Sequence, residues 1–225
     1  AKVRYMFGGK ALVPMVVRTT VGGGKGYAGQ HSQSLEAMCT MFPGLKVVMP
    51  STAYDAKGLL KSAIRDDGLV LFIQHRLLHP LTQQVPEGEW IVPLGKADVK
   101  RRGQEITVVS YSYALTKVLA AAEELAGSID VEVVDPRTLT PLDVETILES
   151  VAKTGRLLVV HEAPAQGGAG AEIVRQVVER GFDLLKAPPR VLGGKHVPMP
   201  YSPPLEDACI PQVADIIRTI REMVE

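Results

Sequence analysis

The residues best suited to chemistry are a histidine and its polar neighbours, directly after a glycine-rich run. Residues 21–29 contain five glycines, and Gln30, His31, Ser32 and Gln33 follow at once. Glycine adopts positive φ freely, so such a loop lets the backbone approach a ligand closely. A histidine where a helix begins lies beside free N–H groups, which favour a neutral imidazole that can give or take one proton. The pattern predicts that His31 is a general acid or base, and it leaves open a buried, hydrogen-bonded structural role.

The same glycine run raises the question of a nucleotide site. Residues 24–29 match the spacing G-x-G-x-x-G between a predicted strand and a predicted helix. A dinucleotide site also needs an acid about 20 residues further on, at the end of the next strand. That strand ends at residues 48–51 without an acid, and Lys25 is not followed by Ser or Thr as a P-loop requires. The sequence therefore disfavours nucleotide binding.

The remaining candidate side chains are predicted to have supporting roles. His75 and His79 have a metal-like i, i+4 spacing, but no third ligand is near, so structural or interface roles are favoured. The pair His161 and Glu162 closes a strand, where open α/β sheets place ligands, yet an interface role is favoured for a pair alone. Arg137, after the strand that ends at Asp135, is expected to clamp a loop or partner carboxylate. The nucleophile motif G-x-S-x-G is absent.

The elements that carry these residues alternate between strand and helix. In the first half, the apolar runs at 15–17, 45–49 and 69–73 predict three strands, with helices over 34–42 and 51–66. Thr52 and Asp55 have the spacing of a helix-capping pair. Three strands make a thin sheet, so this part of the fold is expected to be incomplete.

The second half is more regular. Residues 75–104 are predicted to be a long connection, with a short edge strand at 90–92. Strands are predicted at 106–110, 131–134, 157–160 and from 191, and helices at 114–125, after 167–170 and at the C-terminus. Pro141 is predicted to occupy the first position of a further helix, and residues 188–204 form a proline-rich crossing segment. This alternation predicts an α/β fold with a mainly parallel sheet.

Composition excludes several classes of protein. The 225 residues are 46% hydrophobic and 22% charged, with a net charge of +0, so no electrostatic footprint for nucleic acid or an anionic membrane appears. Two distant cysteines form neither a zinc pattern nor a disulfide framework, which suits a reducing compartment. No run of about 18 apolar residues and no signal peptide is visible. The expected compartment is the cytoplasm, or the mitochondrial matrix in a eukaryote.

Several segments together carry a family resemblance. They lie along essentially the whole chain: residues 1–9, 29–36 (GQHSQSLE), 43–48 (PGLKVV), 55–60 (DAKGLL), 93–97 (PLGKA), 137–143 (RTLTPLD) and 161–163 (HEA). With them the chain resembles the beta subunit of the thiamine-diphosphate-dependent 2-oxo acid dehydrogenases, the first component of the pyruvate, branched-chain and acetoin dehydrogenase complexes.

The resemblance implies a fold, cofactors and partners. It implies part of a transketolase-like pyrimidine-binding domain at 1–80, a linker at 81–104, and a transketolase C-terminal three-layer αβα domain at 105–225. An alpha subunit would complete an α2β2 heterotetramer and hold most of the thiamine diphosphate and magnesium, and a dihydrolipoyl acyltransferase would dock on it. The implied reaction is oxidative decarboxylation of a 2-oxo acid, first of all pyruvate, with acyl transfer to lipoamide. Acetoin and branched-chain substrates are the alternatives.

The resemblance also assigns residues. His31 matches the active-site histidine of the family. Main-chain oxygens near Ala63, Ile64, Asp66 and Gly68 match a potassium site, loosely, because Gly68 stands where relatives often have Asn. Gln74 and His79 replace a common Glu and Tyr, which leaves substrate preference open.

One departure concerns the cofactor. The family's cofactor-activating glutamate and the aromatic residue that stacks on the pyrimidine lie upstream of the segment that matches Ala1, and Glu36 matches a different position. The chain by itself is therefore expected to be inactive. It is expected to be either a piece of a longer subunit or a shortened, non-catalytic interaction module.

Overall fold

The computed structural model describes residues 1–225 as two β-sheets with helices packed against them. The strands are β1 (Met15–Val21), β2 (Lys46–Val48), β3 (Leu69–His75), β4 (Asp98–Arg101), β5 (Ile106–Ser110), β6 (Val131–Asp135), β7 (Thr138–Thr140), β8 (Leu157–Pro164) and β9 (Arg190–Gly194). The helices are α1 (Val3–Met6), α2 (Ala28–His31), α3 (Glu36–Thr40), α4 (Ala53–Ile64), α5 (Ser112–Glu124), α6 (Val144–Thr154), α7 (Ala169–Gly181), α8 (Pro203–Asp207) and α9 (Val213–Val224). Two 3₁₀ turns lie at Arg76–Leu78 and Phe182–Leu184.

The first sheet has four strands, in the order β1-β3-β2-β7. β1, β3 and β2 are parallel, and β7 pairs antiparallel with β2. The prediction of a three-stranded sheet is therefore wrong, because the second half of the chain supplies the fourth strand. One face of this sheet packs on the second half through Val47, Ile73 and Tyr111.

Helix α4 covers the other face of the first sheet. Its start is the predicted one, since the hydroxyl of Thr52 accepts the backbone N–H of Asp55. Leu59 and Ala63 point inward and pack on Val70 and Phe72 of β3, all four fully or almost fully buried. The predicted apolar stripe thus forms the core on this side.

The second sheet has five strands, in the order β4-β6-β5-β8-β9, and all but the edge strand β4 run parallel. Helices α5 and α9 cover one face, and α6 and α7 cover the other. The strands β5, β6 and most of β8 are buried on both faces, which explains why apolar residues do not alternate with exposed polar ones along them. The predicted three-layer αβα arrangement is confirmed here.

Two local predictions need correction. No strand forms at residues 90–92; instead Trp90 stacks on Tyr54 at a centroid distance of 5.3 Å, and the strand β4 lies later in the predicted connection. Pro141 is not the first residue of a helix. α6 begins after Asp143, whose carboxylate accepts the N–H of Thr146.

Candidate functional site

The glycine-rich run forms the base of a closed loop that carries His31. The backbone N–H of Gly22 donates to the carbonyl of Gln33 at 2.9 Å, so the two ends of residues 22–33 meet. Gly22 has φ 102°, and a Cβ there would overlap the ring of His75. At Gly24, with φ 82°, a Cβ would lie 2.7 Å from Leu77 Cδ1. The loop needs glycine because it runs directly against the end of β3.

Two buried carboxylates from the second half of the chain bind the backbone of this loop. Glu162 Oε1 accepts the N–H of Gly23 at 2.6 Å and the hydroxyl of Ser34 at 3.2 Å. Glu206 Oε2 accepts the N–H of Gly26 at 2.9 Å. Two of the loop amides that a phosphate would need, those of Gly23 and Gly26, already donate to acidic side chains. Carboxylates at this position would repel an anion, so the glycine run does not fit a nucleotide or the diphosphate of a cofactor.

His31 is exposed near the C-terminal end of the loop. It is the last residue of the short helix α2, so the prediction that it begins a helix is wrong. The chain turns at Ala28, which has φ 55°, and forms the short helix α2 before the next helix. The helix α3 therefore begins only at Glu36. Gln33 caps the turn by donating from Nε2 to the carbonyl of Gly29 at 2.5 Å. The imidazole of His31 makes no hydrogen bond within the chain, so its position depends on the loop backbone.

A buried polar cluster lies beneath the loop. Glu36 is 2% exposed, and the hydroxyl of Tyr111 donates to its Oε1 at 3.0 Å. Burial raises the pKa of Glu36, against the lowering effect of that hydrogen bond. Burial, together with Glu36, raises the pKa of Tyr111 well above its ordinary value. Glu36 is buried, whereas His31 is exposed. Glu36 therefore cannot replace the cofactor-activating glutamate at the surface where His31 lies.

His75 and Glu162 link the two halves of the chain. The N–H of Leu77 donates to His75 Nδ1 at 3.1 Å, so the proton of the neutral ring is on Nε2 and is donated to Glu162 Oε2 at 2.9 Å. Burial acts to raise the pKa of Glu162, but the hydrogen bonds from His75 and Gly23 outweigh it and hold that pKa below its usual value. The sequence predicts an interface role for Glu162. In this structure its carboxylate joins the two halves of the same chain.

His161 and His79 are not ligands in this arrangement. His161 is buried and donates from Nδ1 to the carbonyl of Ala163 at 2.9 Å, and burial lowers its pKa to about 4, so it stays neutral. His79 is exposed, next to an open cleft of about 550 Å³ that Gln74 also lines. No group of three or more His, Cys, Asp or Glu side chains is placed to hold a metal.

Arg137 clamps carboxylates across the two halves, as the sequence predicted. Its Nε lies 2.8 Å from Asp55 Oδ1, and its Nη2 lies 2.8 Å from Asp98 Oδ2. Lys100 reaches the same two carboxylates at 2.5 and 2.7 Å. Burial raises the pKa of the neighbouring Asp135 to about 7, although Lys100 acts to lower it. Sequence reasoning did not identify Asp55 and Lys100 as members of this cluster.

The residues matched to a potassium site do lie together at the end of α4. The carbonyls of a helix C-terminus lack helical partners and suit a cation. The N–H of Asp66 takes up one of them, the carbonyl of Ala63, at 3.3 Å. The carboxylate of Asp66 is bound by Lys46 and accepts the N–H of Gly68 at 2.8 Å. Because the carboxylate of Asp66 is already bound, the four matched residues could coordinate a cation only through their main-chain oxygens.

No helix of the structure has the length and apolar character needed to cross a membrane.

Comparisons with known proteins cover the whole chain. The transketolase pyrimidine-binding domain matches residues 1–81, and the transketolase C-terminal domain matches residues 95–216. The beta subunit of acetoin:2,6-dichlorophenolindophenol oxidoreductase from Cupriavidus necator is 47% identical over all of this chain and 67% of that protein. The beta subunit of the pyruvate dehydrogenase E1 component from Bacillus subtilis is 42% identical over all of this chain and 70% of that protein.

A solved structure agrees on the fold. A chain described as a split-gene transketolase, inactive beta4 tetramer, superposes with a TM-score of 0.76 at 23% identity, over 93% of this chain and 66% of the other. The chain thus spans about two thirds of the length of the relatives it matches. Taken with the identities above, the chain belongs to the family of beta subunits of the thiamine-diphosphate-dependent 2-oxo acid dehydrogenases, which includes the acetoin-oxidising members.

Proposed function

We propose that this chain supplies the beta-subunit part of a 2-oxo acid dehydrogenase that decarboxylates pyruvate and passes the acyl group to lipoamide. The observation that carries the proposal is His31, an exposed imidazole with no hydrogen bond within the chain, close to the point where a hydrogen bond between Gly22 and Gln33 closes its loop. Catalytic groups are commonly placed on loops held by a rigid scaffold. Thiamine diphosphate, when bound, supplies the nucleophilic carbon that attacks the 2-oxo group.

The role proposed for His31 is proton delivery. An imidazole changes its charge near neutral pH, which makes it the usual general acid or base. Gln33 fixes the turn on which His31 sits, and Gly22 closes the loop behind it. These contacts hold the backbone of His31 in place. Both ring nitrogens therefore stay available to bind a substrate or transfer a proton.

An alpha subunit is proposed to hold the diphosphate and magnesium, because the carboxylates of Glu162 and Glu206 at the glycine loop would repel the diphosphate. Exposed apolar side chains that flank His31 in the sequence support such a partner. They are 40–75% exposed, and they are Tyr27, Leu35, Met38, Met41 and Phe42. Large apolar side chains left exposed on a folded protein are common where a partner binds. Docking of a dihydrolipoyl acyltransferase, potassium binding through main-chain oxygens at the end of α4, and a cytoplasmic location complete the proposal.

The test is His31→Ala in the full beta subunit, reconstituted with its alpha subunit. Loss of a general acid should lower kcat for pyruvate by about 10²- to 10⁴-fold, with subunit assembly unchanged. His196→Ala is the matched control, because His196 is also exposed but lies outside the loop. Full activity in His31→Ala would remove the assigned role.

Acetoin is the second candidate substrate. It is favoured by the 47% identity with the Cupriavidus necator protein, against 42% for the Bacillus subtilis pyruvate dehydrogenase subunit. Comparing kcat/KM for pyruvate, acetoin and a branched-chain 2-oxo acid in the same reconstituted enzyme decides among them. No turnover of any substrate in an assembled complex would instead support a non-catalytic interaction module.

A further inference from the structure

The loop that presents His31 has little to hold it locally. Residues 22–26 are four glycines and Lys25, and glycine gives the unfolded backbone more freedom to lose than any other residue. Lys25 itself is exposed. Apart from the closure between Gly22 and Gln33, the backbone hydrogen bonds that this run donates come from Gly23 and Gly26, and both go to side chains more than 100 residues away.

The proline-rich segment near the C-terminus lies along this loop. A Cβ at Gly26 would be 3.4 Å from the carbonyl oxygen of Tyr201, and one at Gly29 would be 3.7 Å from Pro198 Cβ. Glu206 follows in α8 and is 1% exposed. The second half of the chain therefore both covers the loop and supplies its acceptors.

We propose that Glu162 and Glu206 are positioning residues that hold His31 in its working place by binding the N–H groups of Gly23 and Gly26. Glu162 binds the loop at both ends. Its Oε1 accepts hydrogen bonds from Gly23, near the start of the loop, and from Ser34, which directly follows the loop. Glu206 binds the middle of the glycine run. This inference rests on the proposed role of His31, but its first test does not require activity.

Glu162→Gln is a sharp perturbation because the shape of the side chain is kept. The Gly23 and Ser34 donors meet Oε1, while His75 Nε2–H meets Oε2. A glutamine that keeps its oxygen toward Gly23 turns its NH₂ group toward the N–H of His75. The histidine cannot adapt by moving its proton to Nδ1, because the N–H of Leu77 already donates there. One buried donor must lose its acceptor in any arrangement.

The first experiment measures trypsin cleavage after Lys25 in the folded chain, with each fragment identified by mass. Local opening exposes this bond, so the cleavage rate reports the stability of the loop. Glu162→Gln and Glu206→Ala should each raise it by about 10-fold or more, the loss expected for a buried hydrogen bond to a charged group. Asp207→Asn is the matched control, since Asp207 is exposed beside Glu206, and it should leave the rate unchanged.

Two outcomes overturn the proposal at this stage. A rate at Lys25 within about twofold of the unaltered chain would show that the carboxylates do not hold the loop. An equal rise at every cleavage site would show that they stabilise the whole chain rather than the loop. Either result leaves the proposed activity untouched.

The second experiment tests whether Glu162 acts through His31. In the reconstituted enzyme, Glu162→Gln should lower kcat while KM for the 2-oxo acid stays the same, and Glu162→Asp, which keeps the charge, should restore part of it. In a His31→Ala background, Glu162→Gln should have no further effect on kcat. Independent, multiplied losses would refute a positioning role, whereas a wholly inactive parent enzyme would count against the proposed function and leave the proteolysis result standing.

Discussion

Asp135→Asn should remove a large part of the dependence of this chain's stability on pH. The charge cluster between the two sheets contains three carboxylates, Asp55, Asp98 and Asp135, but only two cations, Lys100 and Arg137. Asp135 is fully buried, and its Oδ1 accepts the N–H of Arg137 at 2.8 Å. One proton on Asp135 brings the cluster to charge balance, and Asn reproduces that neutral form.

The magnitude follows from the pKa of Asp135, which burial raises from 3.8 to about 7. A pKa raised in the folded state means that protonation favours folding. The stabilisation is complete below about pH 4 and is lost as the pH rises through 7. Each pKa unit corresponds to about 1.4 kcal/mol, so lowering the pH from 8 to 5 should stabilise the unaltered chain by about 3 kcal/mol. Asn has no proton to take up, so the variant lacks this gain.

Urea unfolding at pH 5, 6, 7 and 8 measures the difference in free energy of unfolding between the unaltered chain and Asp135→Asn. Other titrating groups are common to both proteins and cancel in that difference. The difference should change by about 3 kcal/mol over this range, with the variant relatively more stable at pH 8. If the free energies of unfolding of Asp135→Asn and the unaltered chain ran parallel over this pH range, the argument from the buried cluster would be refuted.

Two further outcomes are expected. In Gly58→Ala, the new Cβ would lie 2.6 Å from Val92 Cγ2 and 3.0 Å from Trp90 Nε1, so overpacking of about 1–3 kcal/mol should exceed the gain of about 1 kcal/mol in helix propensity. Urea unfolding should show lower stability, and the emission of the single tryptophan should shift to the red; a more stable variant with unchanged emission would contradict this. For the potassium site, replacing sodium by potassium at about ten times its Kd should raise the melting temperature by about 3 °C, and equal melting temperatures in the two salts would exclude it.

The sequence predicts the parts of this fold that local patterns determine. The core strands of the second sheet are buried on both faces, so most of their residues are apolar on both faces and the strands are easy to recognise. The start of α4 depends on Thr52 and Asp55, which are three residues apart. His31 was identified in the same way, from a glycine run and a polar segment that are adjacent in the chain.

The parts that were missed depend on distant partners. β7 has only three residues and is a strand because it pairs with β2, some ninety residues earlier in the chain. Glu162 and Gly23 are 139 residues apart, and Glu206 and Gly26 are 180 residues apart. No periodicity or residue spacing in the sequence predicts such a contact. An acidic residue directly after a buried strand indicates a polar site, but it does not identify the residue that it binds.

The second half of the chain binds the first half through carboxylates at one place and through cations at another. The two kinds of contact depend differently on pH. Carboxylates of the second half hold the glycine loop, whereas cations of the second half hold Asp55. The pKa of Glu162 is lowered from 4.5, so its contribution is present above about pH 4.5 and is lost as the pH falls through the lower folded value. The contribution of Asp135 is present at low pH and is lost as the pH rises through 7. The links that Glu162 makes to the glycine loop are therefore complete above about pH 4.5, and the charge cluster is most stable below about pH 7, so only between these two values is neither weakened.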